Sequence, residues 1–309
     1  MHDSPATTKA MPPQTANALP VAALLAGNMA LAFGPWFVRL ADVGPVAAAF
    51  WRIALAVPVL VALSFAFGRR PFAGASALWV TLLVGGIAFA ADLASWHLGI
   101  LRTTLANATL FGNSATLMFP IWGFLVARAW PTRMQGAALA LAAVGAMLLL
   151  GRSYQVDAKN LFGDLLCLFA GTLYTVYFIL MARARESMAP LPALALSSLA
   201  SALPLLAFAW LLGEAIMPHH WGILIGLALA SQVIGQGLMI YAIGHLSPLV
   251  VGIALLTQPI VAGTVGWLAY GERLGWPDFL GAVMVAVALV LVRLAPGEDR
   301  TKSVGEGAA

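Results

Sequence analysis

The chain has 309 residues, of which 61% are hydrophobic and 9% charged, with a mean hydropathy of +0.92; that composition excludes an ordinary soluble globule. The net charge of +4 comes from basic residues placed singly or in pairs at the ends of apolar segments. A membrane surface selects that pattern, which argues against a nucleic-acid binder. The lone cysteine, Cys167, can make no internal disulfide and belongs to no metal-ligand spacing.

In chain order, residues 1–18 are polar and proline-containing, and are expected to form a disordered cytoplasmic N-terminus. The apolar run from Val21 is followed by Ala30-Leu31-Ala32, a pattern seen at leader cleavage sites. Only Lys9 precedes it, however, and the run continues through Phe33, Trp36 and Phe37, which favours an uncleaved first span. A helix needs roughly 20 apolar residues to cross the hydrocarbon core. Ten such stretches follow, at 20–38, 44–67, 77–100, 104–127, 134–151, 161–182, 191–213, 219–244, 248–270 and 276–294. The expected fold class is therefore an all-α polytopic membrane protein with ten transmembrane helices.

The most polar internal connector, 152–160, divides the chain into a first five-helix repeat at 19–151 and a second at 161–295, with a cytoplasmic tail at 296–309. An offset of 145 lays one half on the other without gaps from Trp96 to Leu150. It matches Gly99 with Gly244, Arg128 with Arg273, Gly136 with Gly281, and Trp96 with Tyr241. Five spans per repeat is an odd number, so the copies enter the membrane from opposite sides. That is a 5+5 inverted-topology repeat, an architecture from which secondary transporters build alternating access. Counting Lys and Arg puts ten on the N-terminal side and five on the other, with Arg52 inside a span. The bias predicts that both termini face the cytoplasm.

Three ionisable residues lie inside spans: Arg52, Asp92 and His97. Arg52 and Asp92 read either as a charge pair that gates or lines a solute path, or as a structural bridge. His97, close to a span end, reads as an interfacial imidazole. Amides recur at mid-span: Asn28, Asn113, Gln232, Gln236 and Gln258. Gln232 and Gln236 are four apart and share a helix face. The 145-residue offset places Asn113 on Gln258. Such amides either glue helices together or line a pocket for a polar solute. Asp92 and Trp96 share a face, as do Tyr174 and Tyr177. Trp36, Trp79, Trp130, Trp221 and Trp276 lie near span ends, where interfacial belts collect tryptophan. The candidate solute-binding set is thus Trp96, Asn113, Tyr174, Tyr177, Gln232, Gln236 and Gln258, a cavity suited to neutral or zwitterionic organic solutes. Gly34-Pro35, Pro58, Gly85-Gly86, Pro120, Pro204 and Pro259 interrupt spans and read as hinges or as simple kinks. The sequence has no H-E-x-x-H, P-loop or G-x-S-x-G. Gly112-Asn113-Ser114-Ala115 lacks a histidine placed to activate the serine. No enzyme and no cofactor are expected.

Leu255-Leu256-Thr257-Gln258-Pro259, then Gly271-Glu272-Arg273, Gly281 and the last apolar span, resemble the drug/metabolite transporter superfamily, in particular its EamA-type ten-helix exporters. Gly34, Pro35 and Arg52 are similar to that family's helix-one break and helix-two arginine. Asn113-Ser114 and Val126-Ala127-Arg128 depart from it, standing where a proline and a Gly-Glu would be expected. The layout most resembles the aromatic amino-acid exporters. The resemblance implies a multi-pass protein of a bacterial-type inner membrane whose partners are lipid and a small-molecule solute. It implies export of small metabolites, above all amino acids, by alternating access. Purine-like metabolites, polyamines, nucleotide sugars and cationic drugs are the competing solutes. A membrane scaffold or channel is the reading from another class.

Overall fold

The computed structural model describes residues 18–72, 74–103, 108, 111–151, 160–261, 264 and 275–294. The polar N-terminus, the connector 152–159, the Gly271-Glu272-Arg273 turn and the C-terminal tail lie outside the described residues. So do 104–107 and 109–110 of the expected fourth span, and 262–263 and 265–270 of the ninth.

The described residues form helices and no strand. Six are long and apolar enough to cross a membrane: α1 (Ala18–Val38), α2 (Pro45–Ala66), α3 (Ala75–Ile100), α6 (Leu161–Arg185), α7 (Pro190–Leu211) and α8 (Trp221–Ile243). The shorter apolar helices are α4 (Ala115–Ala127), α5 (Arg133–Gly151), α9 (Pro248–Val261) and α10 (Trp276–Leu294). Helices dominate because hydrocarbon offers backbone N–H and C=O groups no partner, and a helix satisfies them within one segment. Helices α2, α7 and α9 each begin with a proline whose missing N–H costs nothing at the first turn.

The side-chain distribution suits lipid on the outside. Large apolar residues such as Leu125, Leu203, Trp210 and Leu211 stand exposed around the bundle, while Asn28, Ser197, Ser201, Gln232 and Gln236 are fully buried. The five tryptophans expected near span ends are all exposed, Trp130 at 94%.

Each of the first five helices finds its main partner among the second five: α1 with α8, α2 with α7, α3 with α6, α4 with α9, and α5 with α10. Close crossings rest on small residues. A Cβ on Gly86 would stand 2.5 Å from the Ser197 carbonyl oxygen and from Ala200 Cβ, so α3 and α7 touch there through backbone. Gly252 does the same for α9 against Pro120 and Thr116 of α4. One large apolar core joins α1 to α4 with α6 to α9. A second core, built on Ala138, Ala142, Ile253, Val285 and Ala288, seats α5 and α10 beside α9.

The connectors meet at opposite ends of the bundle. At one end, the α1–α2 and α7–α8 connectors join: Asp42 accepts from the backbone N–H groups of His219 (2.8 Å) and His220 (3.0 Å), and Glu214 accepts from Ala47 N–H (2.8 Å) at the start of α2. At the other, Arg185 donates from Nε to the Ile240 carbonyl (3.1 Å) and from Nη1 to Met188.

Among the described residues, four helices depart from regular geometry. Helix α1 is interrupted at Phe33, just before Gly34-Pro35; α4 starts after a turn at Asn113-Ser114; α9 is interrupted at Leu256. Helix α8 runs as a π-helix from Ala228 to Gln236, a geometry found often at functional sites.

Candidate functional site

Three of those breaks border one cavity. Its wall includes Gly34 and Pro35 of α1, Gly112, Asn113 and Ala115 at the start of α4, and Leu255 and Gln258 of α9, closed by residues of α2, α3 and α6. Irregular backbone at membrane depth is tolerated where protein buries it or a cavity receives it. The cavity volume is about 120 Å³. That is the order of an engineered cavity of about 150 Å³ that takes benzene, and well below the roughly 300–1,000 Å³ of drug-sized sites. A benzene-sized group fits that scale.

The cavity gathers six of the nine residues singled out in the sequence: Arg52, Asp92, Trp96, Asn113, Tyr174 and Gln258. Asp92 and Trp96, four apart on α3, do share the face that meets it. Tyr177, Gln232 and Gln236 stand behind the wall, fully buried. Gln232 accepts from Arg52 Nε (3.1 Å) and donates to Ser198 (3.0 Å), while Gln236 accepts from the Tyr174 hydroxyl (3.2 Å). These two amides hold wall residues in place rather than forming the wall. The Tyr177 ring stacks on Phe89, with centroids 4.4 Å apart and planes 15° apart.

Gln258 has both characters expected of a mid-span amide. It borders the cavity and donates to Asn28 Oδ1 at 2.8 Å. His97 departs from the interfacial reading. It is 1% exposed, and its Nδ1 lies 2.7 Å from the Pro45 carbonyl oxygen, pinning the end of α3 to the start of α2. Hydropathy places His97 near a span end but cannot reveal that α2 starts against it.

The charges are buried and separate. Arg52 is 6% exposed and Asp92 8%. Among the described residues no ion pair or hydrogen bond joins them. Among the described residues the guanidinium hydrogen-bonds only through Nε, and it lies over the Phe89 ring, with Cζ 5.9 Å from the centroid. Phe89 and Leu93 also line the cavity and are absent from the sequence-based set. Phe89 sits three residues before Asp92, so helical spacing carried that signal.

On the side of the cavity nearer the α6–α7 connector, aromatic rings form a continuous floor. Phe89 stacks on Tyr177, Tyr174 meets Phe178 at 4.1 Å, Phe178 meets Phe119 at 5.4 Å, and Phe119 stacks on Trp122 at 5.5 Å. Among the described residues no cluster of three His, Cys, Asp or Glu could hold a metal ion.

Residues 161–294 match the EamA-like transporter family. An uncharacterized transporter of Archaeoglobus fulgidus is 25% identical over 252 residues, covering 80% of this chain and 86% of that protein. A solved crystal structure superposes with a TM-score of 0.75 at 14% identity, covering 90% of this chain and 96% of its own. The first two matches, with the apolar helices, support a multi-pass membrane transporter; the third shows a shared fold.

Proposed function

We propose that the whole chain is an EamA-type secondary transporter that exports small neutral or zwitterionic metabolites, above all amino acids including aromatic ones, by alternating access. The observation that carries this reading is the small cavity where broken α1, α4 and α9 meet, lined by Arg52, Asp92, Trp96, Asn113, Tyr174 and Gln258. Discontinuous helices around a central site are what alternating-access transporters use to expose polar backbone to a solute. Trp96, Phe89 and Tyr174 offer an apolar side chain aromatic contact, and the amides offer its polar end hydrogen bonds of about 1 kcal/mol net each. Asp92 in the wall favours a monocationic amine as the second reading, and Arg52 in the same wall disfavours it.

The proposed architecture is the 5+5 inverted repeat. Its support is the packing pattern, in which exchanging helices one to five with six to ten turns the α3–α6 contact into the α8–α1 contact and leaves α2–α7, α4–α9 and α5–α10 in place. In this reading the aromatic floor is the closed inward gate, and rocking of the repeats opens it while sealing the opposite end.

Purified protein in liposomes is expected to give saturable uptake of amino acids in a screen that includes purines, polyamines and cationic drugs. Uptake of another metabolite without any amino acid removes the substrate and keeps the transporter. Absence of saturable flux for every solute removes both. A His220→Cys substitution, at a side chain 79% exposed, tests orientation. Labelling from the extracytoplasmic side is expected, and labelling from the cytoplasm alone inverts the topology.

A further inference from the structure

Among the described residues, the two charged side chains of the cavity wall are not paired with each other. A structural bridge would bring Arg52 and Asp92 into contact, because a buried charge without a partner is costly. Here both are buried, both line the cavity and neither touches the other. Gln232 takes only Nε of Arg52, so the two terminal nitrogens have no acceptor among the described residues. Asp92 has no hydrogen-bond donor among them. Gln232 is itself fixed by Ser198, which holds the guanidinium in one orientation over Phe89. A positive fork and a carboxylate that border one cavity without touching match a molecule that carries both charges itself.

We infer that Arg52 and Asp92 form a split charge clamp, Arg52 taking the carboxylate and Asp92 the ammonium of a single amino acid. The planar guanidinium presents paired N–H donors suited to a carboxylate, and the ammonium answers the carboxylate of Asp92. The solute's side chain then faces Phe89, Trp96 and Tyr174. This assignment rests on the transporter reading above and sharpens it. A solute with only one charge satisfies one end and leaves the other charge buried alone, so the clamp selects by rejecting amines and acids as much as by holding zwitterions.

The test is competition against labelled L-phenylalanine uptake in proteoliposomes, using unlabelled L-phenylalanine, 2-phenylethylamine and 3-phenylpropanoate. The wild-type protein is expected to need at least tenfold more of either analogue than of the amino acid for half-inhibition. Asp92→Asn is expected to erase the preference for L-phenylalanine over 3-phenylpropanoate while keeping the preference over the amine. Arg52→Gln should do the converse, and Arg52→Lys should retain part of the selectivity. Because Arg52 also braces Gln232, Arg52→Gln can fail to fold; Asp92→Asn and Arg52→Lys then decide. Analogues that compete as well as the amino acid, or an Asp92→Asn variant with wild-type selectivity, overturn the clamp and leave the transporter intact. Wild-type protein that carries another metabolite but no amino acid does the same. Absence of flux for every solute overturns the clamp together with the reading beneath it.

Discussion

Gln258 Nε2 donates to Asn28 Oδ1 at 2.8 Å, and Asn28 Nδ2 donates in turn to the Ala254 carbonyl at 3.0 Å. The cavity wall and the seam between α1 and α9 are therefore one hydrogen-bonded unit. Removing the Gln258 amide leaves the fully buried Asn28 oxygen without its donor, at a cost of about 1–3 kcal/mol. Gln258→Ala is expected to lower the thermal midpoint of the detergent-solubilised protein as well as its solute flux. A midpoint equal to wild type would show that the bond adds no stability and that Gln258 acts on the solute alone.

The two tyrosines of α6 separate on the same logic. Tyr174→Phe keeps a cavity-lining ring and takes the donor from the fully buried Gln236 oxygen, at a cost of about 1–3 kcal/mol. Its expected phenotype is altered solute affinity at a normal yield of folded protein. Tyr177→Ala empties a fully buried site stacked on Phe89 and should cost about 3–5 kcal/mol. Size-exclusion yield, compared with flux per folded molecule, distinguishes the two.

Adjacent glycines in α3 should respond differently to the same methyl group. Gly86→Ala drives a Cβ to 2.5 Å from α7 backbone at Ser197, whereas Gly85→Ala meets Leu180 Cβ at an ordinary 3.5 Å. Gly86→Ala is expected to reduce folded protein and Gly85→Ala to be tolerated, with thermal midpoints as the measurement. Equal tolerance would mean that α3 and α7 can move apart freely.

Asp42 ties the α1–α2 connector to the start of α8. Burial pulls its pKa up, but the His219 N–H, the His220 ring at 3.1 Å and the His220 N–H outweigh that and hold it below the usual 3.8. A depressed carboxylate stabilises the fold above its unfolded pKa and loses that contribution as pH falls through the folded value. The tether should therefore hold at neutral pH and release only below 3.8. Amide exchange at His219 and His220 should accelerate in Asp42→Asn at neutral pH. Unchanged protection in that variant would show that the carboxylate carries none of the tether.

Helix positions were legible because apolar runs long enough to span a bilayer admit little else. The structure moves their described ends by up to a few residues, as at Arg185, where the expectation was 182, and at Leu211, where it was 213. The break at Gly34-Pro35 was readable from residues that favour it, as was the polar character of Asn113-Ser114. Side-chain direction was not. Shared spacing places Gln232 and Gln236 on one face but cannot say that this face meets Arg52, Ser198 and Tyr174 through a π-helical stretch. Composition marks Arg52 and Asp92 as costly to bury; only packing across α2 and α3 determines that they stand apart.

Arg52, Asp92 and His97 all belong to the first five helices, and the positions 145 residues further on hold Ser197, Gly237 and Ala242. Packing is thus balanced between the halves while ionisable groups are not. A machine made of two equal halves would rest equally often in each orientation. In the alternating-access reading proposed above, placing these three groups in one half would give the two orientations unequal energies, and about 1.4 kcal/mol is enough to weight one over the other tenfold. On that reading, directionality would be written in three side chains rather than in the architecture.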